Sequence, residues 1–185
     1  MAISLANYAA SGLLVKSAYF EAGGQGELSR WKRPGESGYF TVKGVHFYPD
    51  VKQEDIPILL NRDYEIMIFD FGEKYLSFRE EILRCDRKIF LLNLNVWQYF
   101  AVEKLLRELE KEEWGKVKPL FASILPSPKE KNQIEKAFQI HIVEITGNWD
   151  AFQISGESFS MMNQLLGVNA PVKKKFCMKL TKRKK

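Results

Sequence analysis

Short apolar runs and segments of helical spacing follow one another along the whole chain. Ile66–Phe69 is an unbroken apolar run, too short for a helix and rich in β-branched and aromatic residues, which predicts a strand buried on both faces. The segment Trp97–Trp114 predicts an amphipathic helix, because its apolar positions recur on one side and its charged positions on the other. The alternation predicts an α/β fold with one mostly parallel sheet, flanked by helices on both faces.

The same patterns predict the other elements of the chain. We expect helices or helical turns at residues 1–11, 27–32, 53–61, 75–83, 129–138 and 158–166. We expect strands at residues 15–21, 64–70, 88–94, 117–125 and 140–145, and a hairpin or two short extended pieces at 39–42 and 45–48. Residues 1–168 would then form a single α/β domain, with residues 169–185 as a tail outside it.

Length and composition agree with one ordinary globular domain. The chain has 185 residues, of which 45% are apolar and 28% charged, and it is long enough to bury one substantial core. No apolar run approaches the ~18 residues that a membrane span needs, and the N-terminus lacks the basic segment and apolar core of a secretory signal. Cys85 and Cys177 are widely separated, which predicts free thiols in a reducing cytoplasm.

The positive charge of the chain is concentrated at its carboxyl end. The net charge is +5, but residues 173–185 carry eight basic side chains and no acidic one, so the remainder has a net charge of −3. Such a tail can grip nucleic acid or an anionic membrane, which would attach a cytoplasmic protein to the inner face of the membrane. The alternative is a disordered tail that only increases solubility. The eight residues are Lys173, Lys174, Lys175, Lys179, Lys182, Arg183, Lys184 and Lys185.

Asp70 is the strongest single candidate for a functional residue. It ends the predicted strand 64–70 and precedes Phe71 and Gly72, and open α/β sheets bind ligands at the carboxyl ends of their strands. The alternative for such an acid is a loop residue or a helix cap. The glycine-rich stretch Ala22–Gly26 also follows a predicted strand, but it lacks Gly-Lys-Ser/Thr, so a tight turn competes with a phosphate cradle.

Several segments, taken together, resemble the MinD/ParA family of ATPases in the SIMIBI class of P-loop proteins. Met1–Ala9 is similar to the small-and-apolar helix that follows the family's P-loop motif, Gly-Lys-Thr-Thr. Ser17–Ser29 is similar to the family's next strand and switch, apolar-Asp-x-Asp-Pro-Gln-Gly-Asn-Leu-Ser. Tyr64–Gly72 resembles the Walker B strand, and Cys85–Leu94 resembles the strand that follows the family's Ala-Asp-x. The order and spacing of these segments cover most of residues 1–166.

The resemblance implies a nucleotide site that involves Asp70, Glu21 and Gln25. Asp70 takes the place that would reach magnesium through water, Glu21 stands for the first switch Asp, and Gln25 for the switch Gln. The second switch Asp, which helps to organise water attack in the family, is Gly23 here. The first strand and the P-loop would lie directly ahead of Met1, so ATP and Mg²⁺ are expected only if that loop is supplied.

The missing strand is central in the family's sheet. Its absence is expected to expose two strand edges and much apolar surface. We therefore expect that Met1 is not the start of the ancestral domain. Either the working protein begins further upstream, or the chain has rebuilt its sheet, or a partner donates the strand.

Two hypotheses for the function follow. The first is a divergent MinD/ParA-like positioning or assembly factor with little or no ATP hydrolysis, acting with a protein partner or as a homodimer. The alternative is a binding module whose basic tail grips nucleic acid or an anionic membrane. An independent enzyme has little support, because no acid/base or nucleophile constellation is visible. His46 and His141 lack a nearby Cys or His partner in the sequence and are expected to be core or surface imidazoles.

Overall fold

A computed structural model describes residues 1–23, 26–32, 38–124, 126–146 and 150–168. The α-helices of this part of the chain are α1 (Ala2–Ser11), α2 (Ile56–Leu59), α3 (Arg79–Arg84), α4 (Tyr99–Glu110), α5 (Pro128–Phe138) and α6 (Phe159–Leu166). The strands are β1 (Ser17–Glu21), β2 (Phe40–Val42), β3 (Val45–Tyr48), β4 (Ile66–Asp70), β5 (Ile89–Leu92), β6 (Leu120–Ile124) and β7 (Ile142–Ile145). The α/β class predicted from the sequence is confirmed.

The strands form two sheets, and this corrects the prediction of one mostly parallel sheet. The first sheet has the order β2-β3-β1-β4 and is mixed, because β2 pairs antiparallel with β3 while β1 pairs parallel with both β3 and β4. The second sheet, β5-β6-β7, is parallel throughout. Lys43 and Gly44 both have positive φ, 46° and 81°, which lets β2 and β3 join as a tight hairpin. Among the described residues, no strand pairs with the outer edge of β4 or of β5.

Both faces of the two sheets are covered by helices. On one face, α1 and α6 pack against β6 and β7 through Leu5, Tyr8, Val143 and Leu165. The opposite face is covered by α2 and α3 over the first sheet, and by α4 and α5 over the second. Successive side chains of one strand therefore pack into cores on opposite faces of the sheet, as strand geometry requires.

Helix α1 runs across the first sheet in the direction opposite to its strands. Its first residue, Met1, has its amino group close enough to Asp70, at the end of β4, to interact electrostatically with it. Its other end leads into β1 after a bond from the Val15 N–H to the Ala9 carbonyl, 3.2 Å. The hydroxyl of Tyr8 donates to Oδ1 of Asn163 in α6 at 2.8 Å, so α1 is also tied to the last helix.

Several predicted elements are shorter in the structure because local hydrogen bonds end them. The predicted helix 97–114 is a 3-10 turn followed by α4, with Oδ1 of Asn95 accepting the Gln98 N–H at 2.9 Å. Past the end of α4, the indole N–H of Trp114 donates to the Leu109 carbonyl at 2.9 Å, which folds the chain back onto the helix. The predicted helix 75–83 is a 3-10 segment over residues 72–78 followed by α3.

No helix in the described ranges is both long enough and apolar enough to cross a membrane. The predicted basic tail, including its eight basic residues, lies outside the described residues.

Candidate functional site

The two acidic residues singled out from the sequence occupy paired positions on neighbouring strands. Glu21 ends β1, Asp70 ends β4, and the parallel pairing of these strands places the two residues directly opposite each other in register. The expected adjacency of Asp70 and Glu21 at one carboxyl edge is therefore confirmed. Their role in nucleotide or metal binding stays a prediction.

The carboxylate of Asp70 already has two hydrogen-bond donors. The hydroxyl of Tyr19 donates to Oδ2 at 2.9 Å, and the backbone N–H of Gly72 donates to Oδ1 at 3.0 Å. The second bond closes an Asx turn, the local structure in which an aspartate side chain holds the backbone two residues ahead. Asp70 therefore fixes the loop after β4. A structural role in a loop was the alternative to a functional role in the sequence analysis.

Tyr19 is a member of the site that the sequence analysis missed. It is buried in β1 on the same face as Glu21 and Asp70, because residues two apart in a strand share a face. Burial, and after it the negative charge of Asp70, raises the pKa of the Tyr19 hydroxyl far above its usual value, so the group remains a donor. One sequence signal could have identified Tyr19. It lies two residues before Glu21, so its side chain is on the same face of β1, and β1 pairs with the strand that ends in Asp70.

Glu21 points to a different loop from the one that Asp70 holds. Its side chain is 6% exposed, and its Oε2 accepts the backbone N–H of Asp50 at 3.4 Å. Its backbone carbonyl accepts the N–H of Val51 at 2.8 Å. Glu21 therefore secures the segment that follows β3, just as Asp70 secures the segment that follows β4.

The amino group of Met1 also lies near this edge, where it interacts electrostatically with Asp70. Burial lowers its pKa, and the negative charge of Asp70 acts in the opposite direction. The start of α1 therefore lies over the carboxyl ends of the strands.

The loops after β1 and β4 touch through their backbones at two glycines. A Cβ atom on Gly23 would lie 1.6 Å from the carbonyl oxygen of Phe71, so no larger residue fits there. Gly72 has a φ of 52° and faces the carbonyl of Gly23, a Cβ at Gly72 being 3.0 Å from that oxygen. The tight-turn interpretation is therefore sufficient for Gly23. Gln25 lies outside the described residues.

Binding of ATP and Mg²⁺ at this edge stays a prediction. The sequence contains no Gly-Lys-Ser/Thr loop to cradle phosphates, and the space beside Gly23 is taken by the Phe71 carbonyl. A cavity near the start of α1, lined by Met1, Ser4 and the ends of β6 and β7, has a volume of about 70 Å³. Ligand sites for drug-sized molecules measure roughly 300–1,000 Å³. In the described ranges, no three His, Cys, Asp or Glu side chains cluster as metal ligands.

The two histidines lie away from this edge. Nδ1 of His46 is 2.7 Å from the Tyr64 hydroxyl, and the ring stacks on Tyr39 with centroids 4.5 Å apart. Burial lowers the pKa of His46. His141 is exposed and lies 3.3 Å from a carboxylate oxygen of Glu135. His46 is thus a partly buried imidazole and His141 a surface one.

No protein-family model matches the chain, and no curated protein matches it. The chain is similar in fold to a chain of the MinC:MinD cell division protein complex of Aquifex aeolicus. The superposition has a TM-score of 0.51, covers 94% of this chain and 93% of that chain, and has 14% sequence identity. At this identity the likeness concerns the fold. It agrees with the α/β architecture implied by the resemblance to the MinD/ParA family.

Replacing Tyr19 by phenylalanine is expected to lower the free energy of unfolding by about 1.5–3 kcal/mol, because a partly buried hydrogen bond to a charged carboxylate is lost. Urea denaturation followed by circular dichroism measures the change. The matched control is Tyr39→Phe, whose ring is partly exposed and whose change is expected within about 0.5 kcal/mol. Equal stabilities of the Tyr19→Phe and Tyr39→Phe variants would show that the Tyr19–Asp70 bond adds nothing.

Proposed function

We propose that this protein is a positioning or assembly factor with a MinD/ParA-like fold, which works by binding other proteins, and that the chain as given does not hydrolyse ATP. The observation that carries the proposal is the packing of the loops at the carboxyl ends of β1 and β4. Asp70 and Gly23, which stand at the family's magnesium and switch positions, are both engaged in holding loops together. The fold likeness to a chain of a protein–protein complex supports a role in assembly.

The argument against hydrolysis is chemical. Phosphoryl transfer depends on positioning the phosphates and stabilising their developing charge, and the protein supplies this through backbone amides, a Lys and a metal. The sequence as given contains no Gly-Lys-Ser/Thr motif, and Gly23 stands where the resemblance places an acid. A glycine has no side chain that could orient an attacking water.

An exposed aromatic patch at the start of α4 supports a protein partner. Trp97 and Phe100 are 91% and 81% exposed, and Val96 beside them is also exposed. Large apolar side chains that lie together on a surface mark interaction sites, and tryptophan is enriched among the residues that dominate binding energy. Phe100 also lines a groove together with charged residues further along α4, among them Glu103, Lys104 and Arg107.

The chain is expected to show no Mg²⁺-dependent ATP turnover above the buffer rate. The test measures phosphate release with saturating ATP and Mg²⁺, and compares the natural chain with Asp70→Asn. Asparagine keeps an acceptor oxygen for the Gly72 N–H but removes the charge that a metal site needs. Turnover that disappears in Asp70→Asn would overturn the proposal, whereas equal background rates in both proteins support it.

The second candidate function, binding through the basic tail, rests on the charge pattern of the sequence. The tail has eight basic residues and no acidic one, and each basic residue contributes ~1 kcal/mol of binding free energy at an anionic membrane surface. Binding to the phosphates of nucleic acid would also weaken as the salt concentration rises.

Deleting residues 172–185 is expected to leave the melting temperature unchanged within about 2 °C, which corresponds to less than about 1 kcal/mol. The same deletion is expected to abolish salt-sensitive binding to phosphatidylserine vesicles or to duplex DNA. Vesicle sedimentation and fluorescence anisotropy, each at low and high salt, measure the two forms of binding. A large loss of melting temperature, or unchanged binding, would contradict this expectation.

A further inference from the structure

A line of exposed side chains follows α4 and the turn before it, aromatic at one end and cationic along the rest. Trp97 and Phe100 are 91% and 81% exposed. Lys104, Arg107 and Lys111 continue the line, and all three are exposed. Their spacing along the sequence is the one that places helical residues on a single side. We call these five residues the α4 line.

The α4 line lies on the side of the helix that faces away from the core. The buried residues of α4 are Val102, Leu106 and Leu109. With ~3.6 residues per turn, positions 100, 104, 107 and 111 lie about half a turn away from these three. The line is therefore an outward surface of the protein.

The charges of this surface are arranged in rows. Within the described ranges, Lys104 and Lys111 form no ion pair, whereas the Arg107 guanidinium lies 2.6 Å from a carboxylate oxygen of Glu103. Glu103 and Glu108 line one groove with the three cations, and helical geometry places them on opposite sides of the line. The centre of the surface is therefore cationic and its two flanks are acidic.

The backbone of α4 limits what kind of segment can dock on it. The N–H and C=O groups inside a helix are already bonded within that helix, so they offer nothing to an extended peptide. A second helix satisfies its own backbone and packs through side chains alone. Residues 100–111 span ~17 Å at ~1.5 Å per residue, which is room for about three turns of a partner helix.

We infer that the α4 line binds an amphipathic helix of a partner protein. The contact face of that helix is apolar at one end and acidic along the rest, and its flanks are basic. The apolar end covers Trp97 and Phe100, the acidic side chains pair with the lysines of the line, and the basic flanks pair with the glutamates beside it. This inference rests on the proposed role in binding other proteins, and it gives the chemistry of one such partner.

The acidic flanks favour a helix over the anionic ligands considered for the tail. A phosphate backbone or a lipid surface is negative throughout, so it would bring like charges against Glu103 and Glu108. The chain's own basic tail has the same charge as the line and is opposed by it. A helix can present acidic and basic side chains in separate rows, as this surface requires.

The test uses the full chain and a fluorescein-labelled peptide. The contact face of the peptide carries two leucines at one end and then three glutamates, and lysines stand on both flanks. A staple on its outer side keeps it helical, because short isolated helices are marginal in water. We expect saturable binding by fluorescence anisotropy. The matched control peptide exchanges the glutamates with flanking lysines at equal composition, and it should bind at least about tenfold more weakly.

Variants of the chain test the two ends of the line. Trp97→Ala should weaken peptide binding at least about tenfold, as expected for a residue that dominates an interface. Lys104→Glu combined with Lys111→Glu should weaken it by at least about the same factor. The matched control reverses Arg30 and Lys32, in the segment that packs on the α1 face of the first sheet, and should stay within about twofold. Circular dichroism checks that all variants fold.

Four results would overturn the inference. One is equal binding of the two peptides, or no binding of either. Another is binding that the Trp97 and double lysine variants leave unchanged, or that the Arg30 and Lys32 control weakens equally. A third is binding of phosphatidylserine vesicles or duplex DNA that the double lysine variant loses. The last is a dimer of the chain that dissociates in Trp97→Ala, which would show that a second copy covers the line.

These outcomes are separate from failure of the proposed function. Loss of the peptide contact leaves the ATP measurement on the natural chain and Asp70→Asn as it was, and leaves other surfaces for a partner. ATP turnover that depends on Asp70 would overturn the proposed function without changing the peptide measurement.

Discussion

Replacing Phe20 by alanine is expected to lower the free energy of unfolding by about 3–5 kcal/mol, the usual cost of emptying a fully buried aromatic position. Phe20 lies at the middle of the first sheet, and its ring stacks on Phe69 at 4.4 Å and on Tyr48 at 4.7 Å between centroids. It therefore contacts both strands that pair with β1. Most single domains are stable by only 5–15 kcal/mol, so the variant should be close to unfolding.

Urea denaturation followed by tryptophan fluorescence and circular dichroism measures this loss. Phe100→Ala is the matched control, because it removes the same ring from a position that is 81% exposed. Its effect is expected to stay within about 0.5 kcal/mol. If the two variants lost similar stability, the buried position assigned to Phe20 would be wrong.

Replacing Gly23 by alanine is expected to cost about 3 kcal/mol, at the upper end of the range for overpacking. The added methyl group would overlap the Phe71 carbonyl, and backbone atoms cannot rotate away as a flexible side chain can. The loops after β1 and β4 must then separate, which also moves the Asp70 carboxylate relative to Glu21.

Gly156→Ala is the control for this substitution, because a Cβ at Gly156 meets nothing within 4 Å. It should change the free energy of unfolding by less than about 0.5 kcal/mol. Thermal and urea denaturation of both variants give the comparison. A Gly23→Ala protein as stable as the Gly156→Ala protein would refute the close approach of the two loops.

The elements and the pairing of the two acids could be predicted from sequence because both depend on local pattern. The apolar run Ile66–Phe69 has the composition of a strand and forms most of β4, although each of its residues is only partly buried and not covered on both faces as predicted. Glu21 and Asp70 each end an apolar strand. Because these two strands pair in parallel and in register, their last residues lie opposite each other. The hydrogen bond from Asn95 that starts the turn before α4 is equally local.

The features that could not be predicted depend on contacts between distant residues. The resemblance implied two exposed strand edges, but it did not imply that the strands form two separate sheets that end at β4 and β5. The bond between Tyr19 and Asp70 joins residues on two strands, and only the register brings them together. The close approach of Gly23 to Phe71 likewise depends on how two loops are stacked.

The bond between Tyr8 and Asn163 has a consequence for the order of folding. Helix α1 leaves the ribosome before every other described element, yet the core it helps to form also needs β6, β7 and α6. Until residue 163 has emerged, the apolar side of α1 has no permanent partner there, and contacts this distant in sequence form slowly. A nascent chain of this protein therefore holds an uncovered helix for most of its synthesis, and early chain termination should yield aggregation-prone fragments.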